Sequence, residues 1–178
     1  HGDAWSRRVR TIGNVNRMLL GNDTTKRSEL WTHLGYYNFV QRLMDYSWQE
    51  QPNQKDLQSG WETFIQVVEE LKPTHCIFIG FAAMNHFNHM MFEKGIEHTP
   101  VSIPAKVGRY KARVASITVN SERISICAVK HAGRYFSWRR WRSFLEQERP
   151  DVMEYIKHLT EGSDKLDKQD YEATRKSE

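Results

Sequence analysis

The hydrophobic positions of this chain change period several times, and each change marks an element. Trp5, Val9, Ile12, Val15 and Leu19 recur at three- and four-residue spacing, which predicts a helix over residues 3–20. Arg7, Arg8, Arg10 and Arg17 lie mostly elsewhere around its axis. Gly21-Asn22-Asp23 stops it, and Thr24 or Thr25 can cap a short second helix reaching Leu34. Residues 35–41 read as a short extended segment running into loop, and the polar stretch 47–58, with Pro52 and Asn53, as an exposed loop. Trp61, Phe64, Ile65, Val68 and Leu71 share one face of a helix expected over residues 57–71, which Lys72-Pro73-Thr74 ends. Residues 75–80 are continuously apolar, as suits a strand covered on both faces, and a helix over 81–92 should leave that strand directly.

After a loop with Pro100 and Pro104, two β-branched runs, 112–119 and 123–129, flank Asn120-Ser121-Glu122. A short polar break between such runs predicts a hairpin. The second run delivers His131 beyond its carboxyl end. Residues 138–145 and 150–159 read as final helices, and the charged tail after Gly162 is expected to be disordered. The helix, Lys-Pro, strand, Gly succession is an α/β signature. The expected fold is a three-layer α/β/α domain with a small, mostly parallel central sheet. With no repeat or linker visible, residues 1–160 are expected to form a single domain and 161–178 a tail, within a length of 178 residues that suits one core.

Composition narrows the function classes. The formal net charge of +4 says little alone, but Lys130, Arg134, Arg139, Arg140, Arg142 and Arg149 crowd one stretch, offset only by Glu146 and Glu148. Without its aromatic neighbours such a run is a solvated helix face. Two cysteines, Cys76 and Cys127, each sit inside an apolar run and read as buried reduced thiols. No apolar run approaches the roughly 20 residues that span a bilayer, and no signal-peptide pattern is seen, so no membrane partner is expected and the location is expected to be cytoplasmic. Glycine-rich phosphate loops and dinucleotide fingerprints are missing too, which argues against a nucleotide cofactor. No local Ser/His/Asp signature supports nucleophilic hydrolysis.

The densest chemistry lies in Ala128-Val129-Lys130-His131-Ala132-Gly133-Arg134-Tyr135-Phe136-Ser137-Trp138. Residues just past the carboxyl end of a strand in an open α/β sheet face the ligand crevice. Here they would supply one imidazole, approachable backbone at Gly133, and cations beside flat aromatic faces. This segment resembles the histidine loop of the uracil-DNA glycosylase superfamily, a strand ending in His-Pro-Ser. His131 is kept, while Ala132 and Gly133 stand where Pro and Ser are usual, removing one phosphate hydrogen bond. Tyr36-Tyr37-Asn38-Phe39-Val40-Gln41 resembles the family's base-reading element, and the helix, Lys72-Pro73 and strand ending in Gly80 resemble its middle section. The likeness covers roughly residues 30–145.

The resemblance implies a DNA partner and hydrolysis of the N-glycosidic bond of uracil or a related base flipped out of the stack, without metal or other cofactor. His131 would be the catalytic residue, and Asn38, Tyr37 and Phe39 would bind the base. Gly133, Arg134, Tyr135, Arg139 and Arg140 would contact DNA. The family's first signature loop is largely absent from this sequence, with His1-Gly2-Asp3 as its expected remnant, although an Asp at the start of a helix also reads as a favourable first-turn charge. Two cysteines exclude the cluster-bearing branches, which need more thiolates.

Two other readings use the same residues. His86 and His89, three apart on an expected helix with His98 beyond, have the spacing of a metal pair, yet Met84, Phe87, Met90 and Met91 around them look like core. A non-catalytic nucleic-acid-binding module keeps the basic aromatic surface and does not need the missing loop. It should survive His131→Ala, whereas an enzyme should lose turnover. A purely protein-binding domain would show no salt-dependent affinity for polynucleotides.

Overall fold

The alternation of helical and β periods resolves into thirteen elements, here described in a computed structural model over residues 2–22, 26–44 and 50–161, with side chains from Arg10 to His158. In chain order they are α1 (Gly2–Leu20), α2 (Arg27–Thr32), α3 (Gln54–Leu71), β1 (His75–Ile79), a single 3-10 turn (Ala83–Asn85) and α4 (Phe87–Glu93). There follow β2 (His98–Ser102), β3 (Lys106–Val107), β4 (Tyr110–Lys111), β5 (Arg113–Val119), β6 (Glu122–Val129), α5 (Trp138–Glu148) and α6 (Pro150–Glu161). The expected caps Thr24 and Thr25, residues 47–49 of the polar stretch, the side chains of Trp5 and Val9, and the tail from 162 lie outside the described residues. The chain folds as two units, a sheet unit of Tyr37–His131 and a helical unit from the residues on either side of it. No helix among the described residues is long and apolar enough to cross a membrane.

In the sheet unit, β5 and β6 form the expected hairpin, but its turn has two residues. Val119 faces Glu122, and Asn120 and Ser121 take φ of 50° and 65°. Two consecutive left-handed residues are the I′ arrangement whose twist matches the flanking strands. β1 runs parallel to β6, and β2 pairs antiparallel with β5, giving the order β1-β6-β5-β2. The sheet is therefore mixed and not mostly parallel: only one of its three strand pairings is parallel. β2 was hidden by Pro100, which is tolerated because β2 is an edge strand whose register shifts between Thr99 and Ser102. β1 is also an edge strand, half-buried along its length.

One sheet face meets α3 and α4. Ala115, Ile117 and Val119 of β5 and Ile124, Ile126 and Ala128 of β6 join Trp61, Phe64, Val68, Phe87, Met90 and Met91 in one cluster. Trp61 is fully buried and meets Phe39, Phe64, Phe78 and Phe87 at centroid separations of 5.2, 5.3, 5.3 and 5.4 Å. Gly60 permits this: a Cβ there would lie 2.4 Å from the Phe39 ring. A capping box starts α3 one turn earlier than its apolar stripe suggests. The Asn53 side chain accepts from the Asp56 N–H and the Asp56 carboxylate accepts from the Asn53 N–H, both at 2.9 Å. Arg42 then pairs with the same Asp56 carboxylate at 2.6 and 2.8 Å, holding it below the usual carboxylate range.

In the helical unit, α1 buries Val15, Met18 and Leu19, while Ile12 is exposed. Asn14 and Asn16 are buried with them. The other contributions are Leu30 of α2, Trp141, Phe144 and Leu145 of α5, and Val152 and Ile156 of α6. Arg142 donates to the Leu19 carbonyl at 2.6 Å, satisfying a carbonyl that the end of α1 leaves without an intrahelical partner.

Candidate nucleic-acid interface

Because β1 and β6 are parallel, both carboxyl ends reach the same rim of the sheet. Ile79 faces Val129, and the Gly80 N–H donates to the Val129 carbonyl at 2.9 Å. Lys130 and His131 continue β6 beyond that point. β5 begins there too, since Arg113 faces Ala128. Arg113 donates to the Phe81 carbonyl at 3.0 Å and to the Asn85 side chain, with its guanidinium 5.3 Å from the Phe81 ring centroid. It fixes the loop that leaves β1.

His131 is exposed as a residue, yet its imidazole is shielded enough that burial, then the Lys130 ammonium, lowers its pKa from 6.5. The ring is therefore neutral at physiological pH and carries one N–H donor. Beside it, the Lys130 ammonium lies 4.7 Å from the Tyr110 ring centroid, and the Arg109 guanidinium 5.2 Å from the same centroid. Arg109 also donates to the Tyr110 hydroxyl at 3.1 Å. Hydrogen bonds from Arg109 and Lys130 together lower the Tyr110 phenol from its ordinary range.

Residues 34–38 form no strand. Asn38 is exposed, and its carbonyl accepts from the Gln41 side chain. Tyr37 is 37% exposed, and its phenol is pushed up to about 12 by burial, with the Cys76 thiol adding to it. Burial also pushes the Cys76 thiol up to about 12, which leaves it protonated and unreactive. Phe39 is partly buried and packs against the aromatic core, with Trp61 and Phe78 as ring neighbours. These contacts place Tyr37 and Phe39 alongside β1 and α3, whereas His131 lies past the end of β6.

The remaining expected contacts fall in the helical unit. Asn14 of α1 donates to the Ala132 carbonyl at 2.8 Å and the Gly133 carbonyl at 3.3 Å. The Gly133 backbone is thus held by an internal bond, and its φ is not in the left-handed region. Phe136 stacks on the buried Trp141 with rings 6.2 Å apart and 8° from parallel. Between these two anchors, Tyr135 is 77% exposed with φ of 60°, and the Arg134 guanidinium sits 5.0 Å from its ring centroid. At the start of α5, Arg139 lies 4.4 Å from the Trp138 ring centroid, and Arg140 is exposed. Arg142 and Arg149 have structural duties: Arg142 caps α1 and pairs with Glu146 at 2.7 Å, and Arg149 pairs with Asp151 at 2.8 Å.

The histidines with metal spacing go separate ways. His89 faces Glu93 at 3.3 Å, and His98 approaches the Ile96 carbonyl at 2.9 Å with its ring against Phe87. Four functional candidates escaped the sequence reading: Asn14, Arg109, Tyr110 and Arg113. A usable signal existed for three of them, since every charged residue between Glu97 and Glu122 other than histidine is a lysine or arginine. Asn14 had none, because a buried amide bonded across more than a hundred residues leaves no local trace. Compared with family models, curated proteins and solved structures, the chain matches none.

Proposed function

We propose that this protein binds DNA and hydrolyses the N-glycosidic bond of uracil or a related base turned out of the stack, as a cytoplasmic repair enzyme with a three-layer, uracil-DNA glycosylase-like fold. The observation that carries this reading is the position of His131, directly past the shared carboxyl rim of β1 and β6. A base inside a duplex must be flipped before its glycosidic bond is reachable, and cleavage leaves negative charge on the departing base. A neutral imidazole can donate its N–H to that oxygen without itself needing a proton. Donors of this kind are worth about 2.7–4 kcal/mol in a transition state. The Lys130 ammonium next to it favours the same charge. Asn38, exposed and carrying both a donor and an acceptor, would read the base edge.

Base release from uracil-containing single- and double-stranded oligonucleotides tests this, with His131→Ala measured alongside. The expected result is release that falls by about a hundredfold to a thousandfold in the variant while binding persists. Release that is equal in both proteins would remove His131 from the chemistry. A second reading, a non-catalytic nucleic-acid-binding module, is favoured by the exposed Arg134–Tyr135 pair and by the exposed Arg139 against the half-buried Trp138, which suit phosphates and bases without any reacting group. Salt-sensitive binding with no base release would select it.

A further inference from the structure

Between β2 and β5 the chain makes a detour that the sheet does not require. Residues 106–111 fold into a separate two-stranded hairpin, β3–β4, with Lys106 facing Lys111 and Val107 facing Tyr110. Gly108, at φ of 62°, opens its turn, and Arg109 follows outside the left-handed region, the pattern of a II′ turn. Val107 is buried, whereas Lys106, Arg109 and Lys111 are exposed. Two lysines directly opposite each other repel, and a sheet gains nothing from that placement. No carboxylate among the described residues pairs with these three cations.

The hairpin is also tied to the rim. Tyr110 accepts hydrogen bonds from Arg109 and from Lys130, the residue before His131, and both cations lie within 5.2 Å of its ring centroid. Cations held on an aromatic ring lose less conformational freedom on meeting an anion than cations on free side chains. We infer that the β3–β4 hairpin, with Lys130, is a phosphate-tracking arm that holds the backbone of a DNA strand beside His131. This rests on the nucleic-acid reading above and adds a surface which that reading did not contain. The occupant is a DNA strand: its backbone carries regularly spaced negative charges, and the exposed Lys106, Arg109 and Lys111 bring three cations onto one short hairpin beside Lys130.

The test is the salt dependence of binding. A short labelled oligodeoxythymidine is titrated with the full chain and with a Lys106→Ala/Arg109→Ala/Lys111→Ala variant, between about 50 and 200 mM salt. Each phosphate contact to a single strand contributes roughly 0.7 to the slope of log affinity against log salt, so the variant should lose about 2 from that slope. A Lys106→Arg/Arg109→Lys/Lys111→Arg variant keeps the charges and should keep the slope, which separates charge from folding. If the wild-type chain binds and the alanine variant shows the same slope, the arm is refuted while the nucleic-acid reading stands. If the wild-type chain binds no oligonucleotide at the lowest salt, that reading falls and takes the arm with it. Equal affinity for polyglutamate would overturn the assignment to DNA.

Discussion

The aromatic side chains of this protein fall into two regions that use the same rings in opposite ways. In the sheet unit, Phe39, Trp61, Phe64, Phe78 and Phe87 meet ring to ring at 5.2–5.7 Å. At the surface, Tyr110, Tyr135 and Trp138 each meet a cation, at 4.4–5.2 Å. The sequence neighbour makes the difference. Arg109-Tyr110, Arg134-Tyr135 and Trp138-Arg139 place a guanidinium next to the ring, and a guanidinium resists burial. The core rings have apolar neighbours at strand or helix spacing. A ring in the first region stabilises the fold by exclusion of water, and a ring in the second orients charge for something outside the molecule.

The sharpest way to break this comparison is to delete one ring from each region. Trp61→Ala removes the centre of the core cluster and should lower the unfolding free energy by about 3–5 kcal/mol in urea titrations. Tyr110→Ala, measured identically, should stay within about 0.5 kcal/mol. Comparable losses in the two variants would mean that Tyr110 is a packing residue, and the contrast between regions would fail.

A smaller effect is expected at the anchor of the surface loop. Asn14→Ala leaves the carbonyl of the buried Ala132 without its 2.8 Å partner. The expected cost is about 1–3 kcal/mol, the range for an orphaned buried polar group. Trypsin should also cut after Arg134 faster, because the loop loses the Asn14 fixing. Unchanged stability and unchanged cleavage would show that Phe136 on Trp141 suffices to hold it.

Smaller still is the effect of Tyr135→Gly on stability. Tyr135 occupies a left-handed conformation that only glycine adopts without strain, and a bulky residue held there costs on the order of 1 kcal/mol. Stability should hold or rise by up to about 1 kcal/mol. Oligonucleotide affinity should fall, since stacking on an aromatic is worth about 1–3 kcal/mol per base. A variant that is less stable and binds equally well would reverse the roles assigned to this ring.

The parts of the fold that sequence periodicity revealed were those with long, uniform patterns: α1, α3, β1, β5, β6, α5 and α6 all lie within a few residues of expectation. The misreadings share a cause. Pro100 concealed β2 because a proline reads as loop until its strand is known to be an edge. The helix expected over 81–92 breaks into a 3-10 turn and α4, because Arg113 of β5 holds the Phe81 carbonyl and the Asn85 side chain. Strand direction depends on pairing partners, so the hairpin of β5 and β6 was legible, whereas β2, read as loop, adds a second antiparallel pairing to a sheet expected to be mostly parallel. At the site, His131, Arg134 and Tyr135 stood out through local composition, whereas the packing of Phe39 was not legible because only Gly60 and Trp61, distant in sequence, show where its ring goes.

The last contrast is electrostatic and concerns His131 against an ordinary surface histidine. Burial and Lys130 lower its pKa from 6.5, so the folded chain gives up the imidazole proton at a lower pH than the unfolded chain does. Between the folded value and 6.5 the unfolded state therefore binds more protons, and stability rises with pH across that window. The contribution is fully present above the unfolded value and is lost as pH falls through the folded one. His131→Gln should flatten the profile there, and an NMR titration of the imidazole should place its midpoint below 6.5. Lys130→Met should move that midpoint only part of the way back, because burial is the larger cause and survives the substitution. A midpoint above 6.5 in the wild-type chain would mean that the ring is held as a cation, unsuited to donating a hydrogen bond as a neutral imidazole beside the Lys130 ammonium.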